Sequence, residues 1–135
     1  MTQKEHFEMI LEKLNIKEYF DNGYKGQNVK IASVESLKSE HGRKVYLTLK
    51  TYAPLCNVYS FNDEFGISAT GDQGTPDTIN FPRFADWCIE KGIHIVTSSL
   101  NWDADEKVEQ EAIKKLYEHG IIFFNATFEV NGIWI

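Results

Sequence analysis

Cysteine is scarce in this chain. Cys56 and Cys88 are its only two among 135 residues, and they form no C-x-x-C pair. Both lie in segments predicted to be core, so we expect buried free thiols rather than a disulfide or a metal site.

Basic residues are outnumbered by acidic ones, with 14 Lys and Arg against 20 Asp and Glu and a formal net charge of −6. Sequence-independent nucleic-acid binding depends on clustered Lys and Arg, so we expect no nucleic-acid partner.

Long apolar runs are also missing. No stretch approaches the roughly 20 apolar residues that span a bilayer, and the first six residues, Met1 to His6, lack the zones of a secretory signal. We therefore expect no membrane partner and a cytoplasmic location. A length of 135 residues with 42% hydrophobic and 25% charged residues is typical of one globular unit. We predict a single domain over residues 1–135.

Strand-like and helix-like segments alternate along the rest of the chain. Phe7, Ile10, Leu11 and Leu14 form the apolar stripe of a helix, within an N-terminal helical segment at 1–22. The predicted strands are 29–34, 56–61, 93–97 and 121–124, with helices at 41–52, 82–92 and from 103 or 105 to 120. Asn131-Gly132 predicts a C-terminal hairpin. This alternation favours an α/β fold with three α/β/α layers and a mostly parallel sheet.

A polar segment between the second strand and the next helix is predicted to be a loop at 62–81. Loops of this length in small domains usually carry function or disorder. Its acidic residues are Asp63, Glu64, Asp72 and Asp77. Their spacing matches no EF-hand, so a solvated acidic loop is preferred to a calcium site. No two histidines have a metal-ligand spacing either, and His94 is expected to be core or half-buried; we predict no metal and no cofactor.

Several motifs occur in an order that resembles one enzyme family. The segment 23–36 reads GYKGQNVKIASVES, 41–46 reads HGRKVY, Ala53-Pro54 precedes VYSF at 58–61, SLN stands at 99–101, and 120–129 reads GIIFFNATFE. This order resembles the N-terminal half of the subtilisin-like serine proteases (the subtilases, peptidase S8) over roughly residues 16–130. The resemblance implies a subtilisin-like half domain with strand order 2-1-3-4. It also implies that Glu35 and His41 occupy the positions of the catalytic acid and base.

The chain departs from the subtilase pattern at three points. Glu35 and His41 are only six positions apart, closer than in the family. Glu129 falls near the position of the oxyanion-binding asparagine, where a carboxylate would repel an oxyanion. No G-T-S-M-A-like segment is found in the 135 residues, so a nucleophilic serine is missing. The expectation is a subtilase-like domain truncated before the catalytic serine.

The implied strand order places a topological switch point between the first and third strands, where parallel sheets bind ligands at their carboxyl ends. The residues predicted around this cleft are Glu35, Ser36, His41, Ser98, Ser99, Leu100, Asn101, Trp102 and Glu129. Glu35 and His41 are the remnant acid and base. The competing interpretation makes them a polar pair that ends a strand and caps a helix, or two solvated loop residues.

These features favour a pseudoprotease that binds a peptide, protein segment or small-molecule ligand in the remnant cleft. Two alternatives stay open: half of a split serine endopeptidase that a serine-bearing chain completes, and a structural or assembly subunit. We do not expect the chain alone to be an enzyme, because the members of a catalytic triad act as one unit. The apolar residues Ile133, Trp134 and Ile135 and the open sheet edges favour a homo-oligomer, in the form of a two-fold dimer.

Overall fold

The computed structural model describes residues 1–65, 80–99 and 107–126, and the backbone of 129–130 and 133–134. The predicted site residues Leu100, Asn101 and Trp102, and the side chain of Glu129, lie outside the described part. So does most of the predicted loop, at 66–79.

Helices and strands alternate from the first strand onward. In chain order they are α1 (Gln3–Lys13), α2 (Lys17–Asp21), β1 (Lys30–Ser33), α3 (Glu40–Tyr52), β2 (Asn57–Ser60), α4 (Phe61–Glu64), α5 (Phe81–Lys91), β3 (Ile95–Ser98), α6 (Lys107–Glu118), β4 (Ile122–Asn125), β5 (Glu129–Val130) and β6 (Ile133–Trp134). Among the described residues, no helix combines the length and apolarity required to cross a bilayer.

Four parallel strands form one sheet in the order β2-β1-β3-β4. This confirms the predicted α/β fold and its strand order. The short strands β5 and β6 pair antiparallel, Glu129 opposite Trp134 and Val130 opposite Ile133, which confirms the C-terminal hairpin.

The direction of each crossover decides which face of the sheet its helix covers. From β1 to β2 the chain moves one way along the sheet, whereas from β2 to β3 and from β3 to β4 it moves the other way. Because such connections are right-handed, α3 lies on one face, and α5 and α6 lie on the other. The α5–α6 face carries the main core, which includes Ala32, Val34, Phe61, Phe84, Trp87, Val96, Ala112 and Leu116.

The α3 face is covered unevenly. Ile31 in β1 is buried, but its neighbours in register become more exposed across the sheet, from Ile95 in β3 to Ile122 in β4. Ile122 is 55% exposed and Phe124 is 60% exposed. The strand β4 therefore forms an edge on which Ile122 and Phe124 point away from the α5–α6 core, whereas Phe123 packs against it. This exposure was unexpected, because the sequence of β4 resembles that of a buried strand.

A short helix replaces the start of the predicted loop. The prediction was wrong at this point: Phe61 begins α4 instead of ending the second strand, and the loop does not begin at residue 62. The Ser60 hydroxyl accepts a hydrogen bond from Asp63 N, as a helix N-cap does. A helix of four residues is too short to show an apolar period, so the pattern could not reveal it.

The prediction for His94 was wrong as well. This residue is exposed rather than core or half-buried, and its Nδ1 accepts a hydrogen bond from Lys30 N.

Candidate functional site

The carboxylate of Glu35 lies at the carboxyl ends of two neighbouring strands. Glu35 follows β1 and is 5% exposed. Its Oε2 accepts from Ser33 Oγ at 2.7 Å, and its Oε1 accepts from Ser99 N at 2.5 Å, at the end of β3. A buried carboxylate is costly unless it is hydrogen-bonded, and here both oxygens have partners. The adjacent strands β1 and β3 thus fix the position of this group.

His41 approaches the same carboxylate from the first turn of α3. The Ser39 hydroxyl caps this helix by accepting from Gly42 N at 2.9 Å. His41 Nε2 lies 3.9 Å from Glu35 Oε1, and the histidine side chain is 42% exposed against 4% for the glutamate. The separation is within ion-pair range but too long for a hydrogen bond. The arrangement therefore combines a buried acid with a half-exposed imidazole that can reach a ligand.

The structure brings together some of the other predicted site residues. Ser36 is buried, and its hydroxyl donates to Asp63 Oδ1. Ser98 is buried at the end of β3, and its carbonyl accepts from Ala126 N. Ser99 is exposed, and its backbone N contacts Glu35. A ligand-binding role for these residues stays a prediction.

Three polar residues around this site were missed in the sequence. Ser33 holds Glu35 Oε2, Ser60 Oγ donates to the Glu35 carbonyl at 2.8 Å, and Asp63 contacts the segment after Glu35. Two signals could have indicated them. Ser33 and Ser60 stand at the carboxyl ends of predicted strands, and Ser60 precedes Asp63 by the three positions of an N-cap and its N3 residue.

Neither cysteine offers an alternative nucleophile. Cys56 and Cys88 are free and buried, as predicted. Burial raises the pKa of the Cys88 thiol to about 12, which keeps it protonated at neutral pH. Across the described residues, no group of three or more His, Cys, Asp or Glu side chains is arranged to hold a metal ion.

A groove of about 490 Å³ lies at the other end of the sheet. It is lined by Ile113, Tyr117, Gly120, Ile121, Ile122 and Phe123, between α6 and the start of β4. Glu35 and His41 lie at the carboxyl end of β1, whereas this groove lies at the amino end of β4. The groove and the acid–imidazole pair are therefore separate features.

The chain matches no protein-family model. It is similar to the minor extracellular protease Epr of Bacillus subtilis (strain 168). The two are 24% identical over 147 aligned positions, which cover 87% of this chain and 22% of the relative. A match to a protease agrees with the subtilase resemblance of the motifs. At this identity it supports a distant relationship to the subtilases at most, and the chain spans only about a fifth of the relative's length.

Proposed function

We propose that this chain forms a subtilase-like domain that binds an extended peptide or protein segment without cleaving it. The proposed cleft lies at the carboxyl ends of β1 and β3. The observation that carries the proposal is the Glu35–His41 pair, in which a buried, hydrogen-bonded carboxylate lies 3.9 Å from a half-exposed imidazole. The distant relationship to a protease supports a peptide as the ligand.

Two serines next to the pair support the proposed absence of catalysis. A serine protease needs a hydroxyl that donates to the imidazole and attacks a carbonyl. The Ser33 hydroxyl donates to Glu35 and the Ser36 hydroxyl donates to Asp63, so both are already committed. Because these two hydroxyls are bonded elsewhere, the acid and the base are proposed to provide contacts to a bound peptide but no acyl transfer.

We expect fluorescein-labelled casein peptides to bind the chain saturably, in an assay that measures fluorescence anisotropy. The variant His41→Ala should weaken binding about tenfold, or about 1.4 kcal/mol, because it removes the half-exposed imidazole from the cleft. His119→Ala is the matched control, since His119 is exposed and, within the described part of the chain, its ring Nδ1 lies 2.8 Å from Lys115 O of the preceding helix. Absence of saturable binding, or equal losses in both variants, would contradict the proposal.

A second candidate function is one half of a split serine endopeptidase. One observation favours it: the acid and the base remain close together, with His41 Nε2 3.9 Å from Glu35 Oε1. The exposed apolar side chains Ile122 and Phe124 offer a surface on which a serine-bearing chain can pack.

A fluorophosphonate probe distinguishes the two candidates. This reagent labels an activated serine, so the first proposal predicts no labelling of the chain, either alone or when mixed with candidate partners. Labelling of a partner chain that carries a G-T-S-M-A-like segment, seen only in the mixture and lost in His41→Ala, would replace the first proposal with the second. His119→Ala again serves as the control.

Self-association and a cytoplasmic location complete the proposal. The exposed residues Ile122 and Phe124 support a two-fold dimer through the β4 edge, which light scattering at micromolar concentration can detect. The two free cysteines agree with a reducing compartment, in contrast to the extracellular location in the name of the relative.

A further inference from the structure

We propose that Asp63 is a positioning residue that holds His41 against Glu35. It acts through the segment Ser36–Ser39, which joins β1 to α3. The inference rests on the proposed role of the Glu35–His41 pair in peptide binding. Asp63 lies 27 positions from Ser36 in the sequence and belongs to α4, so it reaches the pair from a different element.

The Asp63 carboxylate binds the start of this segment with both of its oxygens. Ser36 Oγ donates to Oδ1 at 2.5 Å, and Leu37 N donates to Oδ2 at 2.9 Å. Hydrogen bonds to an ionised acceptor are stronger than those between neutral groups, and two of them fix orientation as well as distance. Asp63 therefore determines where the chain turns immediately after Glu35.

From Ser36 the hydrogen bonds continue to the helix that carries His41. The Ser36 carbonyl accepts from Ser39 N at 3.3 Å and from Ser39 Oγ at 2.9 Å. The same Ser39 oxygen caps α3 by accepting from Gly42 N. The position of the first turn of α3, and with it the position of His41, thus depends on the placement of Ser36.

The turn that contains Asp63 also contacts the backbone of the acid. Ser60 Oγ donates to the Glu35 carbonyl at 2.8 Å and accepts from Asp63 N at 3.1 Å. The segment Ser60–Asp63 therefore holds the start of the short connection between Glu35 and His41, at Glu35, Ser36 and Leu37. These hydrogen bonds explain how an acid and a base only six positions apart can still face each other across the end of β1.

The test uses NMR spectroscopy of the full chain to follow the imidazole resonances of His41. The substitution Glu35→Gln removes the neighbouring charge, so it should displace these resonances when the pair is close. We expect Glu35→Gln to cause the same displacement when it is combined with Asp63→Asn, whose amide oxygen still accepts one hydrogen bond. When it is combined with Asp63→Ala, the displacement should largely disappear. Peptide affinity should fall about tenfold in Asp63→Ala, as is common when a group that orients a site residue is removed.

The matched control is Glu64→Gln in the next position of α4. Glu64 accepts from Trp87 Nε1 and Lys91 Nζ, both at 2.9 Å, and neither partner belongs to the Ser36–Ser39 segment. This variant should leave the response of His41 to Glu35→Gln unchanged. If Asp63→Ala does not fold, Ser36→Ala is the substitute, because it removes the hydrogen bond from Ser36 Oγ to Asp63 Oδ1. It is expected to reduce the displacement of the His41 resonances by Glu35→Gln.

Two results separate the roles. If Asp63→Ala lowers the melting temperature but leaves the response of His41 to Glu35→Gln intact, Asp63 is only structural and the inference is overturned. If the His41 response behaves as expected while the wild-type chain binds no casein peptide, the positioning role stands and the proposed function fails.

Discussion

Replacing Gly42 with alanine is expected to lower the free energy of unfolding by about 3 kcal/mol, through overpacking against fixed backbone. A Cβ on Gly42 would lie 1.8 Å from the Ser36 carbonyl oxygen and 2.9 Å from Ser39 Oγ. Both atoms belong to the connection between Glu35 and His41, so relief of the clash must move this connection. A loss of stability would distinguish this clash from ordinary helix propensity, because Gly→Ala inside a helix normally raises the free energy of unfolding by about 1 kcal/mol.

Urea denaturation measures the effect of Gly42→Ala, with Thr48→Ala as the control in the same helix. Thr48 is exposed, and among the described residues its hydroxyl donates to the Lys44 carbonyl one turn earlier. This control should change the unfolding free energy by about 0.5 kcal/mol or less. A Gly42→Ala variant as stable as the wild-type chain would show that α3 does not approach Ser36 as closely as described.

Replacing Phe61 with alanine is expected to cost about 4 kcal/mol, the range for truncating a fully buried phenylalanine. Phe61 is 1% exposed, and its ring meets Phe84 and Trp87 edge-on at 5.3 and 5.4 Å between centroids. The residue also begins α4, so its loss should loosen Asp63 as well as the core. Thermal unfolding followed by circular dichroism measures the change.

Phe65→Ala is the matched control for Phe61→Ala. The two rings contact each other at 4.7 Å between centroids, but Phe65 is 36% exposed. Its truncation should cost about 1 kcal/mol, because less apolar surface is removed from the interior. Equal losses for the two variants would mean that Phe61 does not anchor α4 to the α5–α6 core.

The fold was predictable to a large extent, for identifiable reasons. Apolar, β-branched runs such as 29–34 and 93–97 separated by amphipathic helices indicate parallel strands, and Gly92 and Gly120 mark helix ends that the structure confirms with φ of +72° at both. The strand order came from the subtilase resemblance rather than from periodicity. The apolar sequence of β4 did not reveal that this strand is an edge, because composition does not show what lies beside a strand.

The site was predictable only in part. The motif positions of Glu35 and His41 predicted their proximity, which the 3.9 Å separation confirms. The partner Asp63 was missed, because its contact with Ser36 depends on tertiary placement. Ser33 was missed although it lies only two positions from Glu35, at the carboxyl end of a predicted strand. Asp63 was grouped with a solvated acidic loop, yet it contacts Ser36 across 27 positions, and Ser99 contacts Glu35 across 64. Such contacts leave no local pattern in the sequence.

We propose that a peptide binds where β1 and β3 end, beside the acid and the imidazole. Titration of the ¹⁵N-labelled chain with a casein peptide, with the amide shifts mapped in NMR spectra, tests this binding site. We expect the largest shifts at Glu35, His41 and Ser99. Shifts confined to the groove at Gly120–Phe123, or none at saturating peptide, would contradict it.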